Sequence, residues 1–509
     1  MSDTASNAGD RVFRNQAGLG NCVDCPMREG GSGRNEDCCG HAAGLFDDGF
    51  ESTSYRLETY DFDDAALASV GIEKSMEKSN ALWERGEKCI PCGTQTLGKS
   101  PIGFIDGVAP KYLSHGKGGR VWDVDGNEYI DCWLACLPIT FGYRVDEIDN
   151  AIIDQIRNHG ITFSLMHPLE VEVAEMLRED IPIAEMARFA KNGSDVCEAA
   201  VRLARYITKR EKVVTLGYHG FHDWYIGSTD RNGGIPESVQ ELTLRFGYND
   251  LGQLQELFAA NKGEIAAVIM EPAIFDFPKD GFLESVKALC HEEGALLIFD
   301  EMLTGYRFAR AGGMQYFGVE PDIATYGKGI ANGMPIGMLV GPEKYMSGFE
   351  EVFLSSTYGG ETTALAAALA GLEYHRKHDV VGHMWRIGKI VLDNFNVEIE
   401  KRGLTDRVRA IGYPARQTVT FKDADGNPDF DLAGLFQQEM LKAGILCNAG
   451  LGFCHLHSEN DAMHVVRGFA GALDAMAKAI DAGDIKRFLE GKPAQPVFRG
   501  LRNQKVTSN

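Results

Sequence analysis

At 509 residues the chain has length for about two to four domains. Its 44% hydrophobic and 24% charged content is that of an ordinary folded protein, and a formal net charge of -22 excludes non-specific binding to nucleic acid or anionic membranes. No apolar run approaches the roughly 20 residues that span a bilayer, and "MSDTASNAGDR" lacks a basic-then-apolar leader, so a cytoplasmic location and small-molecule partners are expected.

Residues 1–50 are rich in Gly, Asp, Asn and Cys, without sustained periodicity. Cys22, Cys25, Cys38 and Cys39, followed by His41, have a spacing that suits zinc or an iron–sulfur cluster, with free thiols or a reducible disulfide as the alternatives. Residues 51–75 read as an acidic connection. A helix then runs to Pro91 and Gly93, and "CIPC" (89–92) repeats the Cys-x2-Cys spacing, although Cys92 also reads as a turn residue. "GRVWDVDGNEYIDCW" (119–133) carries alternating apolar residues around Asp125-Gly126, the signature of a β-hairpin.

The middle third alternates strands and helices. "RFAK" (188–191) leads through "NGSD" into a helix with an apolar face of Val196, Ala199, Ala200, Leu203, Ala204 and Ile207. "KVVTLGYHG" (212–220), "IAAVIMEPA" (265–273) and "GALLIFDE" (294–301) are short apolar runs ended by polar or turn residues. Such strands, separated by helices, argue for an α/β fold with a mostly parallel sheet covered on both faces. Beyond residue 370 a long helix, the strand "ARQTVTF" and helices near 432–443 and 461–481 form a smaller α+β region.

Ligands of open parallel sheets bind at the carboxyl ends of the strands. Asn192, Gly193 and Ser194 precede a helix, where free N–H groups suit a phosphate, with plain helix capping as the alternative. Tyr218 and His219 end the next strand and could stack on a flat ring. Asp300 leaves a strongly apolar strand and needs a cation or hydrogen bonds. Lys328, flanked by Gly327 and Gly329, follows after "DIATY". A phosphate cradle, a stacking aromatic, a strand-end aspartate and a glycine-flanked lysine point to pyridoxal phosphate. Burial favours the neutral amine, and an aspartate at the pyridine nitrogen keeps the ring an electron sink. A structural ion pair between Asp300 and Lys328 is the alternative.

"LLIFDEMLTGYRFARAGGMQYFGVEPDIATYGKGIANGMPIG" resembles the core of the class III, fold-type I aminotransferases, and most of all the glutamate-1-semialdehyde aminomutase branch. "SPIGFIDGVAPKYLSHGKGGRVWDVDGNEYIDCW", "FAKNGSDVCEAAVRLAR", "GYHG" and "SSTYGGETTALAAALA" extend the resemblance over about residues 95–480. It implies a homodimer, a Schiff base and proton transfer at Lys328, and pairing of Asp300 with the cofactor. The cofactor-binding set it implies is Asn192, Gly193, Ser194, Tyr218, His219, Asp300, Met302, Lys328 and, reaching the other subunit, Thr357. It divides the chain into a Cys-rich extension (1–94), the first segment of a small domain (95–150), a large cofactor-binding domain (151–372) and the rest of the small domain (373–509).

Departures bear on substrate. The branch carries a carboxylate-binding arginine shortly after Ser-Pro, where "SPIGF" has Gly103, and a glutamate before its C-terminal "AH(S/T)xxD" segment, where "NAGLGFC" ahead of "HLHSEND" (455–461) has none; the late arginine of ornithine- or GABA-type relatives is not evident either. His455 and His457 could line the pocket instead. The expected activity is amino transfer between an amino donor and a keto or aldehyde acceptor, with a sugar-derived acceptor as one reading. An intramolecular aminomutase is the first alternative, and a non-catalytic, metal-bearing binding protein on the same fold is the second.

Overall fold

The computed structural model describes residues 52–62 and 74–494, so the metal expectation on Cys22, Cys25, Cys38 and Cys39 lies outside the described residues. Strand β1 (Leu113–Lys117) pairs antiparallel with β2 (Arg120–Asp123), which pairs antiparallel with β3 (Glu128–Asp131) in the register Arg120↔Ile130 and Trp122↔Glu128. The hairpin therefore turns at Asp125-Gly126 as expected, while β1 was not. Asp123 shapes the turn by accepting the N–H groups of Asp125 at 3.0 Å and Asn127 at 2.8 Å. Gly126 takes the left-handed conformation the turn requires (φ 95). Before the hairpin, the helix Glu77–Cys89 ends at the turn Pro91–Gly93, where Cys92 is exposed with φ 61.

The apolar runs of the middle third become a seven-stranded sheet. Its strands are β4 (Met186–Ala190), β5 (Lys212–Leu216), β6 (Thr243–Arg245), β7 (Ile265–Met270), β8 (Leu296–Asp300), β9 (Ile323–Tyr326) and β10 (Gly337–Gly341). The order is β4-β10-β9-β8-β7-β5-β6, and β5 to β9 are mutually parallel where they pair. Strand β10 is antiparallel to both β9 and β4, because residues 327–336 return the chain without a crossover helix. Both faces are covered. On β8, Leu297 and Phe299 enter one apolar cluster with Val286, Ala364 and Leu365, while Leu296 and Ile298 enter another with Val196, Ala200 and Leu203. The alternation of a strand explains the split, and continuous burial explains the run "LLIF".

The expected long helix after residue 370 is two helices, Thr362–Lys377 and Val380–Lys401, because Asp379 caps the second by accepting the Gly382 N–H at 3.0 Å. Strands β11 (Val408–Tyr413) and β12 (Arg416–Phe421) form an antiparallel pair, β13 (Ile445–Leu446) leaves to run parallel with β3, and β14 (Gly450–Leu451) completes the β11-β12-β14 sheet. The helices Val380–Lys401 and Glu459–Asp481 pack through Phe395 and Phe469, stacked at 3.6 Å between ring centroids. No helix among the described residues is long and apolar enough to cross a membrane.

Candidate active site

The parallel strands β5, β7, β8 and β9 each release a polar residue or turn at one end of the sheet. After β9, Lys328 holds a positive φ of 42, a conformation few side-chain-bearing residues adopt without strong packing. The packing is close on both sides. A Cβ at Gly329 would stand 2.2 Å from Thr140 Oγ1, and one at Gly327 would stand 2.8 Å from Met302 Sδ and 3.1 Å from the Ile336 carbonyl. The two glycines therefore bring the lysine backbone against its neighbours. Its side chain lines a cavity of about 210 Å³ shared with Cys132, Trp133, Cys136, Leu137, Phe275 and Arg416. Lys328 makes no hydrogen bond or ion pair among the described residues. Burial lowers the pKa of its amine, Glu271 and Asp300 pull it back up, and Arg416 lowers it further.

Asp300 ends β8 almost fully buried. Its Oδ1 accepts the Met302 N–H at 3.0 Å, and its Oδ2 stands 2.7 Å from His219 Nδ1. His219 Nε2 is 3.0 Å from the Leu216 carbonyl. With one ring proton given to that carbonyl, the Asp300 contact needs a second proton on either the ring or the carboxyl group. His219 is thus buried against Asp300 instead of facing the cavity, which corrects the expectation that it could stack on a flat ring. Tyr218 is 47% exposed, with its ring edge-on to Tyr225 at 5.5 Å between centroids.

At the helix Gly193–Thr208, Asn192 and Asp195 form a reciprocal cap: Asn192 Oδ1 accepts the Asp195 N–H at 3.2 Å, and Asp195 Oδ2 accepts the Asn192 N–H at 3.1 Å. The Asn192 side chain is committed to the cap, while the N–H groups of Gly193 and Ser194 have no helical acceptor. The turn after β5 lies directly on this terminus. Phe221 N–H donates to Ser194 Oγ at 3.2 Å, and a Cβ at Gly220 (φ 105) would come within 2.2 Å of the same oxygen. Met302 Sδ lies 3.0 Å from the Cβ position of Gly193, between the helix start and Gly327. Thr357 is exposed in the turn after Ser356 and is not among the residues lining the Lys328 cavity.

Sequence reasoning missed a buried pair. Glu271, at the end of β7, takes the Tyr218 N–H on Oε1 at 3.1 Å and Arg416 Nη1 on Oε2 at 2.9 Å. Arg416, the first residue of β12, also donates to the Ala273 carbonyl at 2.9 Å, and its Nε and Nη2 make no hydrogen bond among the described residues. A cavity arginine is therefore present, at the "PAR" turn, where sequence reasoning found none evident. The two expected histidines are elsewhere: His455 Nδ1 faces the Tyr374 hydroxyl at 3.0 Å, and His457 is fully buried with its ring against Gly119. Burial lowers each to a pKa of about 4, and neither lines the Lys328 cavity.

The sequence profile of the family "Aminotransferase class-III" matches residues 107–449. The chain belongs to this family. It is 36% identical over 418 residues to the 3-aminobutyryl-CoA aminotransferase of Cloacimonas acidaminovorans (strain Evry), covering 80% of this chain and 99% of that one. A glutamate-1-semialdehyde 2,1-aminomutase of Acetivibrio thermocellus is 34% identical over 395 residues, covering 73% of this chain and 91% of the relative. The Sphingopyxis sp. MTA144 FumI protein, solved in its pyridoxal phosphate internal aldimine form, superposes with a TM-score of 0.74 at 26% identity, over 82% of this chain and 99% of that one. The class III chain is thus a fold-type I, pyridoxal phosphate-dependent transaminase or aminomutase, and family membership sets aside the non-catalytic scaffold. The residues fit that cofactor: an unpaired lysine amine at a cavity, a buried carboxylate, a half-exposed tyrosine ring and free N–H groups at a helix start could together hold it.

Proposed function

We propose that Lys328 is the residue that bonds the cofactor aldehyde and moves the proton at the reacting carbon, in an amino transfer between a donor and a keto or aldehyde acceptor. The unpaired Lys328 amine, lowered in pKa by burial, is the observation that carries this reading. When bound, the cofactor supplies an electron sink for the carbanion at the substrate carbon. Asp300, backed by His219, would hold the ring nitrogen; Tyr218 would lie on the ring; Gly193 and Ser194 would take the phosphate, with Asn192 and Met302 fixing that helix start.

The cavity beside Lys328 bears on the substrate. Trp133, Leu137, Phe275, Leu303 and Leu451 give it a largely apolar wall, which offers a polyhydroxylated sugar few partners. A β-amino acid or its acyl thioester, the class named in the relative from Cloacimonas acidaminovorans, suits it better. The two free donors of Arg416 would receive the carboxylate or thioester carbonyl. The same residues serve an intramolecular aminomutase, which differs in needing no external donor.

We place the enzyme as a homodimer. Leu165, Met166 and Phe353 are 81%, 82% and 76% exposed, and Phe353 leads into the exposed turn carrying Thr357. That much apolar surface supports burial against a second copy, to which Thr357 would reach. Free thiols at every described cysteine support a reducing, cytoplasmic setting. The decisive experiment is Lys328→Ala. Purified wild-type protein should show the visible absorption band of bound cofactor, which bleaches on adding an amino donor; the variant should lose the lysine-linked band and turnover together. Wild-type turnover by the variant would overturn the assignment.

A further inference from the structure

A second cavity, of about 320 Å³, shares Trp133 with the Lys328 cavity. Its walls come from the helix Glu77–Cys89 and from the stretch that includes Gly103. They are held firmly. Asp125 accepts the N–H groups of Lys78 at 2.8 Å and Ser79 at 2.9 Å, and Ser79 Oγ accepts the Lys111 N–H at 2.8 Å, so helix and hairpin are locked together. The Trp83 ring covers Gly93, where a Cβ would fall 2.4 Å from it. Phe104 stands edge-on to Trp133 at 6.5 Å between centroids. A Cβ at Gly103 would meet nothing within 4 Å, so "SPIGF" places no side chain between Pro101 and Phe104, which line the cavity.

The charges in this cavity are unequal. Lys111 Nζ is spent on Asn80 Oδ1 at 2.8 Å and Asp106 Oδ1 at 3.1 Å. Asp131 is buried and satisfied by the Tyr143 hydroxyl at 2.7 Å and two N–H groups at 2.8 Å. The Lys99 ammonium group makes no hydrogen bond or ion pair among the described residues. It lines the second cavity on the side of Cys136, which lines the first. Gly98 approaches Cys136 Sγ, 3.9 Å from its Cβ position, and the half-buried Cys136 thiol feels the ammonium groups of both Lys99 and Lys328. An unpaired cation close to Cys136, aromatic walls around it and Trp133 shared with the Lys328 cavity describe a site for the far end of a substrate whose amine lies at Lys328.

Resting on the assignment of amino transfer to Lys328, we infer that the Trp83–Trp133 cavity receives the pantetheine arm of a β-amino acyl thioester, with Lys99 facing its polar groups. The volume, at the low end of the roughly 300–1,000 Å³ of small-molecule sites, accommodates a linear arm and leaves a carrier's nucleotide outside. Both ends of such a substrate would then be fixed: the amine at the cofactor and the arm behind Trp133.

The test compares kcat/KM for a β-aminobutyryl thioester of pantetheine with that for free β-aminobutyrate, in wild-type holoenzyme and in Trp83→Ala and Lys99→Met. Each substitution should lower the ratio of thioester to free acid about tenfold, mainly through KM. Lys99 is exposed, so Lys99→Met keeps the test valid if Trp83→Ala folds poorly. Binding of pantetheine itself to the wild-type holoenzyme, followed by calorimetry without turnover, should weaken by a similar factor in both variants. Pantetheine binding that depends on Trp83 and Lys99, with neither amine turned over, supports the subsite and overturns β-amino transfer as the reaction at Lys328. Turnover of both amines with an unchanged ratio in the variants, or no pantetheine binding, overturns the subsite and leaves Lys328 in place.

Discussion

Asp300 and Glu301 are adjacent acids at the end of one buried strand, and they face opposite sides of the sheet. Asp300 shares Oδ2 with His219 at 2.7 Å and keeps only one backbone N–H, that of Met302 at 3.0 Å. Glu301 is enclosed by donors: the Thr304 hydroxyl, the Gly313 N–H at 2.6 Å and the Met314 N–H at 2.8 Å. Gly312 is required beside it, since a Cβ there would overlap Glu301 Oε2. One carboxylate is held by a titratable neighbour and stands on the side of Lys328. The other is fully spent on fixing the turn that starts the helix Gly313–Phe317. Burial does not separate a catalytic acid from a structural one; the kind of partner does.

The largest expected effect breaks the Asp300 side. Asp300→Asn removes the charge proposed to face the cofactor while keeping the shape, and kcat should fall about 10²–10³-fold, the loss typical of one preorganised electrostatic contact. Thermal stability should change little by comparison, and steady-state kinetics together with a melting curve check both. Glu301→Gln should do the reverse. It should leave kcat/KM within about threefold and cost about 1–3 kcal/mol of stability by disturbing a network of three donors. Its pH dependence sharpens the contrast. Burial raises the Glu301 carboxyl from 4.5 to about 7 against the pull of its donors. The folded state therefore holds a proton that the unfolded chain has released, so this group's contribution is fullest below pH 4.5 and is lost as pH rises through about 7. The stability of wild type relative to Glu301→Gln should decline across that window in denaturant titrations. A flat difference would show the carboxyl ionised throughout.

The same contrast explains what was legible in the sequence. The strands announced themselves as apolar runs because a sheet covered on both faces accepts little else, and Asp300 and Lys328 stood out as charges in apolar or glycine surroundings. Tyr218, Ser194 and Gly193 could be placed at strand and helix ends, since those ends are where a parallel sheet presents ligands. Arg416 and Glu271 were not legible as a pair: they lie 145 residues apart, one after a strand and one at a hairpin, and only the fold makes them neighbours. The strand-end "MEPA" and the "PAR" turn held the available signal, a charge directly beside a buried strand. His219 was placed at the right turn but on the wrong side of it, because sequence fixes the position of a side chain more firmly than its direction. The reversed β10 escaped for a similar reason: apolar runs report burial and carry no strand direction.

The smallest expected effect lies at the proposed phosphate end and divides two roles of one residue. Ser194 is nearly buried, and its Oγ takes the Phe221 N–H at 3.2 Å, so the hydroxyl ties the turn "GYHG" to the helix start. Removing it in Ser194→Ala leaves one backbone N–H unpaired and should cost about 1 kcal/mol, a factor of about five in affinity if the loss is expressed on the cofactor. The turnover of saturated enzyme should be unchanged, unlike that of Asp300→Asn. Equilibrium dialysis with pyridoxal phosphate and with pyridoxal separates the possibilities. If Ser194 meets the phosphate, the variant binds pyridoxal phosphate more weakly and pyridoxal as before. If the hydroxyl only positions the turn that presents Tyr218 to the ring, both affinities fall together, and the phosphate contact then belongs to the N–H groups of Gly193 and Ser194, which the substitution leaves in place.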